Sequence, residues 1–112
     1  MNYRVIFCPE AEEQLVALYH YIANVASPII AARYIESIVN FCESLALLPH
    51  RGKIRDDVRS GLRSIHYKKR VIIAFAIQEN QVSIIGVFYG GQDYETILQE
   101  NSEDEFFRDI ES

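Results

Sequence analysis

Residues 71–77, VIIAFAI, form an unbroken apolar run rich in β-branched side chains. The run is too short for an ordinary helix and too continuous for a strand with one wet face, so it predicts a central strand buried on both sides. Residues 82–89, VSIIGVFY, have the same character, and the polar stretch QENQ joins the two. That arrangement predicts a β-hairpin closed at Glu79-Asn80. Upstream, residues 62–67 read as a third strand, with Lys68-Lys69 as the turn into the next. The result is a three-stranded antiparallel meander.

Side chains alternate across a strand, so two-residue turns at Lys68-Lys69 and Glu79-Asn80 fix which residues share a face. One face is expected to carry Val71, Ile73, Phe75 and Ile77 beside Val82, Ile84, Gly86 and Phe88, a bulky surface suited to packing against helices. The other is expected to carry Ile72, Ala74 and Ala76 beside Ser83, Ile85 and Val87. In this register Arg63, Tyr67, Arg70 and Tyr89 flank the second face, which becomes a shallow apolar trough with a cationic and aromatic margin. Such a trough suits a docking partner, and the competing expectation is that the chain covers it itself.

The rest of the chain supplies the helices. Residues 2–7 read as a strand, and Pro9 then sits at the first position of a helix whose early Glu10, Glu12 and Glu13 oppose the positive end of its dipole. Ala11, Leu15, Leu18 and Ile22 fall on one face at helical spacing. Ser27-Pro28 restarts the pattern with a good N-cap, and the second helix is expected to run to about Leu48 and stop at Pro49. Its broad stripe includes Ala31, Tyr34, Ile35, Ile38, Phe41, Cys42, Leu45 and Leu48. Residues 50–60 read as a polar connector. After Gly90-Gly91 the pattern allows a short turn holding Ile97 and Leu98 and a brief terminal helix over 103–110. The predicted architecture is α+β, β-α-α-β-β-β, with a helical hairpin on one face of a small antiparallel sheet. Residues 1–98 are expected to be one domain and 99–112 an acidic tail, either a short helix or disordered.

The net charge of −5 is unevenly spread. From Gln99 onward there are six acidic residues and one basic, Arg108. Within 51–70, by contrast, eight basic side chains meet only Asp56 and Asp57, a segment that seeks phosphate or carboxylate unless it is a solvated loop. Cys8 and Cys42 lack any metal-type spacing and read as two thiols with no assigned chemistry. No apolar run approaches the roughly 20 residues of a membrane span, and the N-terminus lacks a signal-peptide pattern, so a cytoplasmic location is expected.

The order of elements, together with three stretches of sequence, resembles the RelE/ParE superfamily of toxins. The opening YRVIFCPEAEEQLVALYHYIA is similar to the family's strand entering a helix through a Pro-Glu-Ala step. SLALLPHRGKIRDDVRSGLRSI resembles its second helix ending at a proline before an arginine-rich approach to the next strand, and RVIIAFAIQENQVSIIGVFYGGQDYETIL its closing hairpin. The resemblance spans residues 3–98 and favours the ParE branch. It implies the toxin of a type II toxin-antitoxin, or plasmid stabilisation, module that poisons DNA gyrase, held inactive by a ParD-like antitoxin in a hetero-oligomer.

Two other functions follow from the same resemblance. A RelE-like, ribosome-dependent endoribonuclease needs groups that activate the ribose 2′-hydroxyl, stabilise the phosphorane and protonate the leaving oxygen. In the predicted register no histidine joins the arginines: His66 falls on the opposite face from Arg63 and Tyr67, while His50 and His20 lie in the connector and the first helix. Phe88-Tyr89-Gly90-Gly91 also stands where the nuclease branch tends to carry a histidine or arginine. The non-enzymatic reading is therefore preferred. The remaining function is an inactive relic that only joins its antitoxin in repression; the chain itself carries no DNA-binding motif. No cofactor or metal is expected. Candidate residues for target or antitoxin are Arg59, Arg63, Tyr67, Lys68, Lys69, Arg70 and Tyr89, with Ile72, Ala74 and Ala76 in the trough.

Overall fold

In the computed structural model, which describes residues 3–90, the first strand, β1 (Arg4–Phe7), enters helix α1 (Pro9–Val25) through Cys8. Pro9 takes the first turn, where its missing N–H costs nothing, and Ala11, Leu15, Leu18 and Ile22 are buried at the predicted spacing. Ser27 caps α2 (Pro28–Glu43), its hydroxyl accepting a 3.1 Å hydrogen bond from the Ile30 N–H. The helix ends earlier than its apolar stripe predicts. A 3-10 turn, Ser44–Ala46, buries Leu45, whereas Leu47 and Leu48 are each 66% exposed. The Tyr3 N–H donates to the Ala46 carbonyl, tying that turn to the start of β1.

Four further strands follow: β2 (Lys53–Ile54), β3 (Leu62–Tyr67), β4 (Val71–Gln78) and β5 (Gln81–Tyr89). β2 lies inside the expected connector and is too short to leave a pattern in sequence. The five strands order as β1-β5-β4-β3-β2, antiparallel except that β1 runs parallel to β5. β1 is an edge strand and covers only the first half of β5, from Gln81 to Ile84. Beyond that point α1 runs alongside. The Val87 N–H donates to the Gln14 side-chain oxygen at 2.6 Å.

The helical hairpin packs on one side of the sheet. Phe75, Ile73, Ile84, Val71 and Val82 from the sheet meet Ile38, Cys42 and the α1 stripe in one core. Each of the larger side chains contributes roughly 1.5–3 kcal/mol by leaving water.

Two features change the expected faces. Tyr67 pairs with Val71, so the β3-β4 loop has three residues, 68–70, rather than two, and Lys68 adopts a positive φ of 56°. An odd loop reverses the parity of β3 against β4. Arg63, Ile65 and Tyr67 therefore share the helix side with Phe75, Ile73 and Val71, while Leu62, Ser64 and His66 share the far side with Ala76, Ala74 and Ile72. The second hairpin has the expected two-residue turn, Gln78 pairing with Gln81, but a bulge follows: Phe75 pairs with Ile84 and Ala74 with Gly86, leaving Ile85 unmatched. Past the bulge, Val87 and Tyr89 turn to the helix side and Gly86 and Phe88 to the far side, the reverse of the alternating pattern.

The far side is partly covered by the chain. Residues 55–62 close on themselves through Arg55 N–H to Leu62 C=O (2.8 Å) and Val58 N–H to Arg55 C=O (3.0 Å). The Gly61 N–H is taken by an Asp56 carboxylate oxygen at 2.8 Å. This compact turn sets Val58 in a second cluster with Leu62, Ala74 and Phe88, edged by Ile72 and Ile85. The sequence expectations for residues 97–98 and 103–110, and the boundary between domain and tail, lie outside the described residues.

Candidate functional site

The three-residue loop 68–70 brings cations and aromatic rings together at one end of the sheet. Lys68 places its ammonium 5.0 Å from the Tyr34 ring centroid and 5.4 Å from that of Tyr67, within cation–π range. Tyr67 stacks on Phe41 at 4.6 Å, and the Arg51 guanidinium lies 5.2 Å from the other participant, Phe41. Tyr89, at the end of β5, meets Tyr34 edge-on at 6.2 Å and Tyr21 at 6.1 Å. These contacts make a continuous rim of alternating rings and positive charge along the helix side. Burial raises the Tyr34 pKa, the neighbouring Tyr89 and Tyr67 add to the rise, and Arg70 opposes it. Tyr34 therefore stays a neutral hydroxyl at physiological pH.

Arg70 and Gly90 sit where two hollows meet. The first, of about 390 Å³, lies between α1 and the end of β5, with Gln14, Ala17, Leu18, Tyr21, Val87 and Tyr89 as its walls. The second, of about 550 Å³, opens on the far side and is lined by His66, Lys69, Arg70, Ile72 and Gly90. The Gly90 N–H donates to the Arg70 carbonyl at 2.9 Å, so the loop and the end of β5 are fastened together.

The expected margin of the trough is thus divided. Tyr67, Lys68 and Tyr89 gather with Arg70 at this end, but on the helix side. Arg63 also faces the helix side, half-buried, its guanidinium donating to the Arg51 carbonyl at 3.4 Å. Arg59 belongs to the turn crossing the far side, where its charge lowers the Cys8 pKa against the larger rise from burial and a further rise from Glu10. Ile72 and Ala76 are half-buried, and Ala74 is fully buried with Val58, Leu62 and Phe88. A partner could touch Ala74 only after displacing those side chains. His66, excluded from the arginine-lined face by the two-residue turn, in fact shares a hollow with Lys69 and Arg70. Among the described residues no group of three or more His, Cys, Asp or Glu could hold a metal ion, and no helix is long and apolar enough to cross a membrane.

Sequence reasoning missed Gln14 and Tyr21, counted Arg51 only within the basic segment 51–70, and placed Tyr34 and Phe41 in the helix core. Those two are seven residues apart and so share one helix face. Nothing in the sequence states that β3 would deliver Tyr67 and Lys68 to that face.

The architecture is that of a small α+β domain, a two-helix layer on a mostly antiparallel sheet, with a basic and aromatic rim. Residues 5–94 match the ParE toxin of the type II toxin-antitoxin system parDE, and the chain belongs to this family. Among solved structures, a chain of the chromosomal ParDE TA system from P. aeruginosa superposes with a TM-score of 0.70 at 17% identity, covering 80% of this chain and 97% of that one. A chain of the toxin-antitoxin complex RelBE2 from Mycobacterium tuberculosis gives 0.59 at 19% identity, over 80% of this chain and 100% of its own. At these identities the structural likeness is one of fold. No curated protein sequence matches the chain significantly.

Proposed function

We propose that this ParE-family toxin acts in the cytoplasm by binding and poisoning DNA gyrase, and that a ParD-like antitoxin neutralises it in a hetero-oligomeric complex. The family membership carries this reading. The chemistry of the rim supports it: rings and cations at the 68–70 loop suit recognition of an acidic, partly apolar protein surface, since aromatic and arginine side chains dominate interface energetics. Proton transfer would need a base there, and Tyr34, with its raised pKa, is a donor instead. Lys68, Lys69 and Arg70 engage partner carboxylates, with Tyr67 and Tyr89 as the apolar ground beneath them. The toxin unit is residues 1–98.

One observation favours a second reading, a RelE-like ribosome-dependent endoribonuclease. His66 lines the same hollow as Lys69 and Arg70, a general acid or base beside two phosphate ligands. Among the described residues the hollow has no carboxylate to orient the imidazole, which is why the first reading is preferred.

Induction of the toxin in a bacterial host, with plasmid supercoiling and reporter translation followed in parallel, separates the two. Loss of supercoiling with translation intact is expected, and His66→Ala should remain toxic. Arrested translation with normal supercoiling, abolished by the same substitution, would overturn the gyrase reading.

A further inference from the structure

The turn that joins the two helices is apolar on its outside. Val25 closes α1, Ile29 and Ile30 open α2, and they are 65%, 66% and 51% exposed, although Ile22 and Ala31 beside them are buried. Single exposed aliphatic side chains are ordinary on a protein surface, but three around one turn form a patch that something should cover. We infer that this tip, with the rim behind it, is a docking surface for an anionic lipid bilayer, which the protein meets from one side without crossing.

The order of the chemistry selects that occupant. Tyr21 lies one helical turn behind Val25 and Tyr34 one turn behind Ile30, a rise of roughly 6 Å. Both rings meet Tyr89, at 6.1 and 6.2 Å. Cations follow: Lys68 between the Tyr34 and Tyr67 rings, and Arg70 on the wall that it shares with Tyr21 and Tyr89. Arg33 is exposed on α2, one turn from Ile29. An apolar tip, a belt of tyrosines and then positive charge match the acyl chains, headgroup boundary and phosphates met on moving outward from a bilayer. Segments that lie in this interface bury their apolar face by about 5–10 Å, the depth that one helical turn supplies.

Charge favours the same partner. Residues 14–35 contain no Asp or Glu, and Arg33 is their one formal charge. Among the described residues, Glu10, Glu12 and Glu13 stand at the start of α1, Glu43 at the end of α2 and Glu79 at the opposite end of β5, while Glu36 is two turns from Ile29. A field of one sign around an apolar tip draws an anionic surface and opposes a second copy, because two-fold pairing through the tip would set Arg33, Lys68 and Arg70 against their own counterparts. Lipid and an acidic protein call on the same cations, so bound lipid withholds the rim from a protein partner. The inference stands whichever target the toxin has.

Vesicle flotation of the full-length protein tests it. Vesicles of equimolar phosphatidylglycerol and phosphatidylcholine should bind the toxin at least about tenfold more tightly than vesicles of phosphatidylcholine alone. V25S/I29S/I30S and K68E/R70E should each lose about tenfold on the anionic vesicles, and thermal unfolding verifies that their cores are retained. The chain has no tryptophan, so Ile29→Trp and Leu47→Trp each introduce one reporter. The first sits at the tip; the second, at a position equally exposed, follows the 3-10 turn tied to Tyr3 at the other end of the fold. On anionic vesicles with brominated acyl chains, emission from Ile29→Trp should shift to the blue and be quenched, and that from Leu47→Trp should do neither. Equal binding to both kinds of vesicle, or quenching at both positions, would overturn the inference. So would absence of vesicle binding; if V25S/I29S/I30S then abolished self-association or antitoxin binding, the tip would belong to a second copy or to the antitoxin.

Discussion

Gln14 and Val87, 73 positions apart in sequence, are joined by a 2.6 Å hydrogen bond in which the helix side chain accepts from the strand N–H. It falls where β1 no longer covers β5 and takes the place of the ladder bond that a longer β1 would provide. Replacing Gln14 by Leu removes the acceptor and leaves a half-buried donor without its partner, at a cost of about 1–2 kcal/mol. Gln14→Glu keeps an oxygen in place and should stay near wild type. Urea unfolding of the two variants measures the difference, and equal midpoints would show that solvent already satisfies Val87.

Gly86 has no room for a side chain because Phe88 folds back over it. A Cβ there would lie 2.5 Å and 2.7 Å from two ring carbons of Phe88. Gly86→Ala should therefore push the ring out of the cluster with Val58, Leu62 and Ala74, destabilising the protein by about 1–3 kcal/mol. Phe88→Leu removes the obstructing atoms. The double variant should be more stable than the sum of the single losses allows, by at least about 0.5 kcal/mol in a denaturation cycle. Strict additivity would mean that backbone conformation, not the ring, demands glycine.

Gly86 also marks the boundary of what the sequence could convey. Helix starts, the buried stripe of α1, the Glu79-Asn80 turn and the pairing of Phe75 with Ile84 follow from periodicity and turn chemistry, because those rules are local. A glycine inside an apolar strand is a recognised bulge signal. Taken as one, it would have turned Val87 and Tyr89 toward the helices. The other inversion had no such cue: Lys68 at positive φ is a conformation that a lysine rarely adopts and does not advertise. One loop residue more than expected then moved Arg63 and Tyr67 to the helix side and His66 to the far side. The rim at 68–70 depends on that parity, so its composition was legible and its location was not. β2 and the Val58 cover depend on contacts between distant residues, which local patterns do not encode.

Cys42 gives the fold an alkaline limit. Burial, with a further push from Glu43, raises its pKa to about 12, while an unfolded cysteine titrates near 8.5 to 9. Above pH 9 the unfolded chain releases this proton and the native state keeps it. Stability that is fully present below pH 9 should therefore fall by up to about 1.4 kcal/mol per pH unit toward pH 12. Tyr34, also raised, adds to the decline above pH 10. Urea midpoints between pH 7 and 10.5 should drop in the wild type and follow a flatter course in Cys42→Ala, which is less stable at neutral pH. Parallel curves would exclude the thiol as the cause. The same burial predicts that iodoacetamide leaves Cys42 unmodified in the native protein.

The rim makes a different demand on charge reversal from the one that an arginine-edged trough would make. Arg63 is half-buried against the Arg51 carbonyl, so Arg63→Glu should act mainly on stability. Lys68 and Arg70 stand at the loop, exposed, with Lys68 over two tyrosine rings and Arg70 between the hollows. Reversing either changes the field that meets an acidic partner, and loss of one charged interface contact costs about 1.4 kcal/mol or more, a tenfold weakening. Titration of purified variants with the antitoxin should accordingly rank Lys68→Glu and Arg70→Glu at least tenfold weaker than wild type, with Arg63→Glu much closer to it once its folded fraction is allowed for. Growth inhibition in the absence of antitoxin should follow the same order if target and antitoxin compete for the rim. A ranking in which Arg63→Glu is the most damaging at equal folded concentration would move the docking surface toward Arg51 and β2.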